Sequence, residues 1–328
     1  MRPEVSVVIP VMDEADNVEQ LHRELTASLE PTGRPYEIVF VDDGSTDGTP
    51  ERILAIEARD AHVRLLRLRR NFGQTAAFSA GFDHARGDVV VTMDGDLQND
   101  PRDVPRLVAK LDEGYDLVCG WRRERRDPLS KRIPSFFANR LISWATGVAL
   151  HDYGCSLKAM RSDVAKGIRL YGEMHRFIPA VASWMGVSLH ELPVNHRART
   201  RGRSKYGLGR TARVLLDLFT VKFLGAYGTR PAHLFGFMGL VSGLTGSAIL
   251  LHLAWVKLVQ DEAIWGRPLL VLGALLFLTG VILVSFGLLA ELLARTYHES
   301  QGKPTYHVRE VRPTQQPVES ERETALRR

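Results

Sequence analysis

The chain has little cysteine, and this bounds the chemistry it can use. Its 328 residues include two cysteines, Cys119 and Cys155. Two cysteines give no disulfide framework, so a reducing compartment is expected. Cys119 lies in an apolar run and is interpreted as a small core residue rather than a reactive thiol. No secretory signal peptide is expected, because residues 1–10 lead directly into a strand pattern.

Two stretches of the chain lack Asp, Glu, Lys and Arg altogether. They cover residues 234–256 and 268–290, which are 23 residues each. A helix of that length measures about 34 Å and can cross a hydrocarbon core of about 30 Å. A buried hairpin in a soluble core is the alternative, which two such runs in succession disfavour. The outer flanks are basic: Lys222, Arg230, Arg295, Lys303 and Arg309. Both termini are therefore predicted to face the cytoplasm.

Residues 1 to about 125 alternate between strand and helix patterns. Strands are predicted at residues 5–11, 36–41, 63–68, 89–93 and 116–119. Helices are predicted between them, for example at 17–29, 50–58 and 104–111. This alternation predicts an α/β domain with a largely parallel central sheet. Ligands of such sheets bind beyond the carboxyl ends of the strands.

Three of the predicted strands end in acidic residues, namely Asp13-Glu14, Asp42-Asp43 and Asp94–Asp96. The turn after the first strand is acidic and has no glycine, which excludes the glycine-rich phosphate turn of a dinucleotide-binding fold. A nucleotide bound at this edge would need its phosphates neutralised by a metal and by basic side chains. The acids after the first two strands could instead bind the base and the ribose.

The segment Asp94-Gly95-Asp96 has two interpretations. Asp and Gly favour turns, so the segment can be a turn and nothing more. At strand period, however, the two carboxylates point to the same side. Two oxygen ligands on one side suit Mg²⁺ or Mn²⁺, which hold substrate phosphates through one or two carboxylates. The acids at the other two strand ends favour the metal interpretation.

Two later segments are strongly basic. Residues 121–140 hold seven Lys or Arg against two acids, and residues 196–213 hold seven against none. Such segments can bind nucleic acid, a membrane surface or a phosphorylated lipid. The second segment runs into residues 215–224, which resemble an interfacial amphipathic helix, and then into the two apolar stretches. This order favours a lipid phosphate over nucleic acid.

Several motifs together resemble one enzyme family. They are Val7-Val8-Ile9-Pro10-Val11-Met12-Asp13-Glu14, Val41-Asp42-Asp43-Gly44-Ser45-Thr46-Asp47, Asn71-Phe72-Gly73-Gln74, Met93-Asp94-Gly95-Asp96-Leu97-Gln98, Asp152-Tyr153-Gly154-Cys155-Ser156-Leu157-Lys158, His175-Arg176-Phe177 and Gly202-Arg203-Ser204-Lys205-Tyr206. In this order they resemble the inverting family-2 glycosyltransferases, and specifically the polyisoprenyl-phosphate branch. That branch includes dolichyl-phosphate mannose synthases and bacterial undecaprenyl-phosphate sugar transferases. The motif that starts at Asp152 is similar to the aminoarabinose-type bacterial enzymes.

The resemblance implies a role for each matching residue. Asp94, Asp96 and Gln98 would hold Mg²⁺ or Mn²⁺ against the diphosphate, and Asp152 falls where the family has its catalytic carboxylate. The nucleotide sugar would contact Pro10, Asp13, Glu14, Asp42, Asp43, Asp94, Arg203 and Lys205. The phosphate of the lipid would contact Arg122, Arg132 and Ser135.

The resemblance also implies an architecture. We expect a GT-A-type nucleotide-diphospho-sugar transferase fold with a mostly parallel sheet, then an interfacial amphipathic helix and two transmembrane helices. The expected boundaries are a cytoplasmic catalytic domain at 1–206, a juxtamembrane segment at 207–230, the transmembrane pair at 231–292 and a mobile cytoplasmic tail at 293–328. The protein is expected to lie in the inner (cytoplasmic) membrane. Nucleic acid is not an expected partner. The family resemblance suggests a homo-oligomer, a tetramer.

Two segments depart from the family pattern. Many relatives have an aromatic residue and then Asn where this chain has Met12-Asp13, so stacking of a base on Met12 is not implied. Many also continue the metal motif as Asp-Pro-Pro-Glu, whereas this chain has Asn99-Asp100-Pro101-Arg102. The second departure affects the start of the following helix more than the metal.

The expected activity is transfer of a sugar, with inversion, from a nucleotide-diphospho sugar to a polyisoprenyl phosphate such as undecaprenyl phosphate. A UDP-sugar is the favoured donor. One alternative is an enzyme similar to dolichyl-phosphate mannose synthase that uses GDP-mannose. Another is an inactive, membrane-tethered protein that binds sugar nucleotides. A processive polysaccharide synthase is disfavoured, because the chain has no Gln-x-x-Arg-Trp motif and only two apolar stretches.

Overall fold

The structure is a computed structural model that describes residues 2–123, 129–170, 172–197, 209–227 and 231–300. Within helices, it does not describe the side chains of residues 129–134, 136–137, 209–217, 295 and 297–300. The predicted site residues Arg203 and Lys205 lie outside the described residues, and so does the side chain of Arg132. The end of the predicted tail, residues 301–328, also lies outside them.

The described strands form one seven-stranded sheet in the order β3-β2-β1-β4-β6-β5-β7. They are β1 (Val5–Val11), β2 (Tyr36–Asp42), β3 (Val63–Arg67), β4 (Val89–Thr92), β5 (Leu117–Trp121), β6 (Lys158–Arg161) and β7 (Leu189–Pro193). All neighbouring pairs are parallel except those of β6, which runs antiparallel to β4 and β5. The predicted mostly parallel α/β sheet is confirmed.

Helices cover both faces of this sheet, and the last two helices of the chain extend away from it. They are α1 (Ala15–Leu29), α2 (Thr49–Glu57), α3 (Gln74–His84), α4 (Asp103–Asp112), α5 (Leu129–Thr146), α6 (Ser162–Gly167), α7 (Ile178–Ser183), α8 (Gly209–Tyr227), α9 (Pro231–Val259) and α10 (Pro268–Ser300). Two short 3-10 helices span Glu30–Thr32 and Met174–Phe177. Helices α1, α2 and α4 pack on one face, and α3, α6 and α7 pack on the other.

The apolar sequence patterns explain this packing. In α1, Val18, Leu21 and Leu25 repeat at helical spacing and are fully buried. Burial of each Leu contributes about 1.5–3 kcal/mol of transfer free energy. Helices α5 and α8 also contribute to the core on the face covered by α3, α6 and α7, because Ile142 of α5 and Val221 of α8 are buried there. Helix α8, predicted as interfacial, therefore also packs against the sheet domain. Cys119 is 1% exposed, which confirms its interpretation as a core residue.

Helices α9 and α10 form an antiparallel hairpin whose outer surface is apolar. Each is long and apolar enough to cross a membrane, over Pro231–Val259 and Pro268–Ala294. Glycines let the two helices approach closely: a Cβ atom placed on Gly280 would lie 2.5 Å from the Cα of Gly243. The hydroxyl of Ser242 also donates to the carbonyl of Leu276 at 2.8 Å. Small residues at a helix contact are the usual means of close packing in lipid.

Gly280→Ala is expected to destabilise the hairpin by about 1–3 kcal/mol, because the added methyl group would overpack the contact with Gly243. Gly236→Ala is the matched control in α9, since a Cβ atom there meets nothing within 4 Å. Thermal unfolding of both variants in detergent micelles, or in nanodiscs, measures the difference. Equal melting temperatures for the two variants would show that the contact does not limit stability.

Candidate active site

Asp13, after β1, and Asp42, at the end of β2, hold the loop that follows β2 in place. Asp42 is fully buried, and one of its oxygens accepts a hydrogen bond from the amide of Ser45 at 3.0 Å. Asp13 accepts from the amide of Thr46 at 2.8 Å, and its own amide donates to the Ser45 hydroxyl at 2.9 Å. Asp13 has a φ of +52°, a left-handed conformation that Asp tolerates better than most residues. Two predicted nucleotide-pocket residues thus lie together.

Asp43 links the same loop to the beginning of α3. Its two oxygens accept the amides of Phe72 at 2.7 Å and Gly73 at 2.9 Å. Burial raises the pKa of Asp43, and the neighbouring carboxylate of Asp42 raises it further, while the two amides oppose that rise. The structure therefore shows Asp43 holding the segment before α3 against the loop that follows β2. Contact of Asp43 with a sugar nucleotide stays a prediction.

Pro10 and Glu14 lie on either side of the first acidic turn. The carbonyl of Pro10 faces Gly95, where a Cβ atom would lie 3.4 Å from it. The amide of Glu14 donates to the Thr49 hydroxyl at 2.9 Å, and its carboxylate accepts from Asn17 at 2.5 Å. Both residues thus line the strand ends where the pocket was predicted, and Glu14 also binds the first turn of α1.

The predicted metal residues lie in a loop and not in a strand. Strand β4 ends at Thr92, one residue earlier than predicted, so strand alternation does not set the directions of Asp94 and Asp96. The loop nevertheless alternates: Asp94, Asp96 and Gln98 are partly exposed. The residues that directly precede each of them are buried, namely Met93, Gly95 and Leu97. Each of the three predicted ligands is therefore partly accessible, and their convergence on one metal ion stays a prediction.

Hydrogen bonds hold this loop in place. One oxygen of Asp94 accepts from the side-chain amide of Gln74 at 2.7 Å. One oxygen of Asp96 accepts from the backbone amide of Gln98 at 3.1 Å, which is a turn of the Asp type. Leu97 lies between them with a φ of +62°. The observed turn therefore covers Asp96 to Gln98, directly after the expected one, and the metal interpretation stays a prediction.

Asp152 forms a buried ion pair with Arg122. The Nε atom of Arg122 lies 2.7 Å from one carboxylate oxygen and an Nη atom lies 2.9 Å from the other. Asp152 is 2% exposed, and it also accepts the backbone amide of Gly154 at 3.1 Å. The amide of Asp152 donates to Glu191 at 3.1 Å. The predicted catalytic carboxylate and one predicted lipid-phosphate residue are thus bound to each other.

Ser135, another residue predicted to contact the lipid phosphate, is partly exposed on α5. Helix α5 packs beside α8, the helix that precedes the apolar hairpin. Ser135 is therefore on an element close to the predicted membrane side. Its contact with a phosphate stays a prediction.

A small, partly open cavity of about 40 Å³ is lined by Asp94 and by residues to which the sequence analysis assigned no role. Lys158, 2% exposed, donates to the carbonyl of Cys155, and His175 lies 2.8 Å from the hydroxyl of Thr75. Gln74 also lines this cavity. Lys158, His175 and Gln74 all fall in motifs that carry the family resemblance, which is the signal that could have identified them.

The two cysteine thiols near the site have low reactivity. Burial raises the pKa of Cys119 to about 12 and that of Cys155 to about 11. Only the thiolate is a good nucleophile, so neither thiol is available for covalent catalysis near neutral pH. Burial likewise raises the pKa of Tyr153 to about 12.

The chain matches the sequence profile described as glycosyl transferase family 2 over residues 6–169. It is 45% identical over 313 residues to a dodecaprenyl-phosphate galacturonate synthase of Rhizobium johnstonii, covering 94% of this chain and 93% of the relative. It is 39% identical over 309 residues to the undecaprenyl-phosphate 4-deoxy-4-formamido-L-arabinose transferase of Klebsiella pneumoniae, with the same shares covered.

The fold is similar to that of a solved enzyme with little sequence identity. Glucosyl-3-phosphoglycerate synthase of Mycobacterium tuberculosis, crystallised with Mn²⁺, UDP and phosphoglyceric acid, superposes with a TM-score of 0.54 at 19% identity. The match covers 68% of this chain and 78% of that one. A crystal form of the same enzyme with Mg²⁺ and UDP superposes at 0.52, with 20% identity and 68% and 79% covered.

Proposed function

Because the chain belongs to glycosyl transferase family 2, we propose that it transfers a sugar from a nucleotide-diphospho sugar to a polyprenyl phosphate at a membrane, with inversion. Family membership confirms the resemblance drawn from the motifs and the GT-A-like fold. The observation that carries the proposal is the similarity to two polyprenyl-phosphate sugar transferases over 94% of the chain. Because the alignments cover 94% of the chain, they include most of the apolar hairpin as well as the sheet domain.

The donor is proposed to bind across the carboxyl ends of β1, β2 and β4. The loop that joins Asp13, Asp42 and Asp43 supports a pocket for the base and ribose, because carboxylates accept hydrogen bonds from both. The diphosphate would then lie towards Asp94 and Asp96. We favour a UDP-sugar, and GDP-mannose is the alternative donor. Basic side chains are needed to neutralise the rest of the diphosphate, and Arg203 and Lys205 are proposed for this role.

The residues of the β4 loop fit a divalent cation. Asp94, Asp96 and Gln98 are partly exposed and carry side-chain oxygen atoms, and oxygen is the ligand that Mg²⁺ and Mn²⁺ prefer. Among the described residues, no three acidic, histidine or cysteine side chains are grouped closely enough to hold a metal alone. This is consistent with a cation whose remaining ligands are phosphate oxygens and water. When bound, such a cation supplies positive charge that stabilises the departing diphosphate.

The ion pair of Asp152 and Arg122 supports a positioning role for Asp152. A phosphate monoester is already largely ionised near neutral pH, since its second pKa is about 6, and it does not need a strong base to attack the anomeric carbon. Both oxygens of Asp152 accept hydrogen bonds from Arg122. A carboxylate held in this way is suited to orienting a substrate, or the guanidinium that binds it, rather than to removing a proton.

The membrane arrangement is proposed from the hairpin of α9 and α10. We propose that both helices cross the inner membrane and that the sheet domain and both termini lie on the cytoplasmic side. Residues 1–206 would be the catalytic domain, 207–230 the juxtamembrane segment, 231–292 the transmembrane pair and 293–328 the tail. A polyprenyl phosphate could then approach the site from the bilayer along α5 and α8. Assembly into a tetramer is proposed on the family resemblance alone.

Transfer can be tested with the purified full chain in nanodiscs that contain undecaprenyl phosphate. Each of a panel of radiolabelled UDP- and GDP-sugars is added with Mg²⁺ or Mn²⁺, and the lipid is extracted. One donor is expected to give a labelled lipid, and omission of the lipid phosphate or addition of EDTA is expected to abolish the product. Binding of a nucleotide sugar without transfer under any condition would favour the inactive binding protein instead.

A further inference from the structure

The β4 loop contains a residue in an unfavourable conformation. Leu97 has a φ of +62° and is 5% exposed. A left-handed conformation costs free energy for a residue with a Cβ atom, so it persists only where surrounding contacts impose it. Leu97 stands between Asp96 and Gln98, two of the three proposed metal ligands. The contacts that impose its conformation therefore also fix the ligands.

Leu97 itself packs in the core against which α1 and α4 lie, and the β4 loop around it is hydrogen-bonded to the segment that follows β7. The amide of Arg197 donates to the carbonyl of Gln98 at 2.9 Å, and His196 forms an isolated antiparallel bridge with Asn99. The amide of Asn195 donates to Asp103, at the start of α4, at 2.6 Å. Three consecutive residues, 195–197, thus bind the β4 loop and the helix after it.

The side chain of Arg197 completes this attachment. One Nη atom lies 2.5 Å from a carboxylate oxygen of Glu24 in α1, and the other lies 2.7 Å from Asp100 in the β4 loop. Arg197 is about one-third exposed and Asp100 is 10% exposed, so the second pair is screened less than a surface pair. The guanidinium therefore joins the loop to α1, an element that the packed core holds in place.

We propose that Arg197 is a positioning residue for the metal and diphosphate loop. Its backbone amide fixes the carbonyl of Gln98, and its guanidinium fixes Asp100, so the loop keeps Leu97 left-handed and presents Asp94, Asp96 and Gln98 together. Arg197 acts through these residues and does not itself touch the substrate. The effect of Arg197 on catalysis rests on the proposed function. Its effect on the conformation of the β4 loop applies to the protein without ligands.

Arg34 offers a matched control at the opposite edge of the sheet. It is also one-third exposed and also joins two carboxylates, Glu4 at 3.0 Å and Asp112 at 2.5 Å. It lies at the amino ends of the strands, away from the acidic loops. Arg197→Gln and Arg34→Gln remove the same chemical group and a double ion pair, and the carboxylates that pair with Arg34 are the more exposed ones. A difference between them measures the position of Arg197 rather than the general cost of losing an arginine.

The first experiment needs no activity. Hydrogen exchange of the metal-free full chain is followed by mass spectrometry for peptides that cover residues 94–100. Arg197→Gln is expected to exchange faster there than the unsubstituted chain, and Arg34→Gln is expected to match the unsubstituted chain. Equal exchange in Arg197→Gln and Arg34→Gln would overturn the proposal. Faster exchange over the whole Arg197→Gln protein would also overturn it, because the effect would then be general instability.

The second experiment measures Mn²⁺ binding in the presence of UDP by electron paramagnetic resonance. Loss of a residue that orients metal ligands typically weakens metal affinity about 10- to 100-fold, and this weakening is expected for Arg197→Gln and not for Arg34→Gln. Arg197→Lys should be intermediate, because a single ammonium replaces a guanidinium that binds two carboxylates. Mn²⁺ binding without sugar transfer by the unsubstituted chain would overturn the proposed function alone. Absence of Mn²⁺ binding would overturn both.

Discussion

Asp96→Asn is expected to lower kcat/KM for transfer of the sugar to the lipid by about 10²–10³-fold, which corresponds to about 2.7–4 kcal/mol of lost transition-state stabilisation. The physical reason is charge. The asparagine keeps the size of the side chain but removes one of the two carboxylates proposed to hold a divalent cation against the diphosphate. The measurement is transfer to undecaprenyl phosphate at saturating and limiting Mg²⁺, with the donor identified by the panel above.

Asp88→Asn is the control for this prediction. Asp88 lies just before β4, at the opposite end of the strand from Asp96, and it is an exposed residue paired with Arg2 at 2.7 Å. Exposed ion pairs contribute little to stability, about 0–1 kcal/mol, so Asp88→Asn should retain both its fold and its activity. Full transfer by Asp96→Asn would show that the metal assignment is wrong.

Asp152→Asn is expected to lose both stability and transfer. Arg122, whose side chain is 15% exposed, would keep its charge but lose its carboxylate partner. Removal of one member of a buried ion pair costs about 3–5 kcal/mol, because the remaining charge is left uncompensated. Thermal unfolding and transfer, measured on the same preparation, give the two losses side by side.

The double variant Asp152→Asn, Arg122→Met separates stability from function. Replacing the second charge with an apolar side chain should restore much of the stability, because no buried charge is then unpaired. Transfer should stay lost if the carboxylate or the guanidinium acts on substrate. An Arg122→Met single variant with a raised KM for undecaprenyl phosphate would support the predicted contact of Arg122 with the lipid phosphate. Recovery of transfer in the double variant would show that the ion pair of Asp152 and Arg122 stabilises the fold and has no direct role in transfer.

The parts of the fold set by local apolar patterns were predictable. Strands β1, β2 and β4 are largely apolar in the sequence and are buried in the sheet. The hairpin was predictable from the absence of charge, although α9 and α10 extend beyond the uncharged stretches to Pro231–Val259 and Pro268–Ser300. Strands β6 and β7 were missed. Strand β6 has four residues with Lys and Arg at its ends, and β7 contains His and Glu and is only partly buried.

The candidate site likewise has features that the sequence could predict and features that it could not. The acidic strand ends could be predicted because strand direction alone brings them to one edge of the sheet. The pairing of Asp152 with Arg122 could not, because the two residues are far apart in sequence and their contact depends on how two loops meet. The hydrogen bond from Gln74 to Asp94 is also a tertiary contact. No local pattern distinguishes an arginine that binds a carboxylate from one that binds a phosphate.

The reversed direction of β6 has a consequence for the order of folding. Its ladder with β4 joins Val89 to Arg161 and Thr92 to Lys158, partners about 70 residues apart in sequence. Closing so long a loop costs chain entropy before any contact repays it, so such pairings form slowly. Pairing of β6 with β4 is also the step that brings Gly154 and Lys158 beside Asp94 of the β4 loop. We therefore expect a refolding chain to bury the core of β1 and β2 before it can bind a substrate.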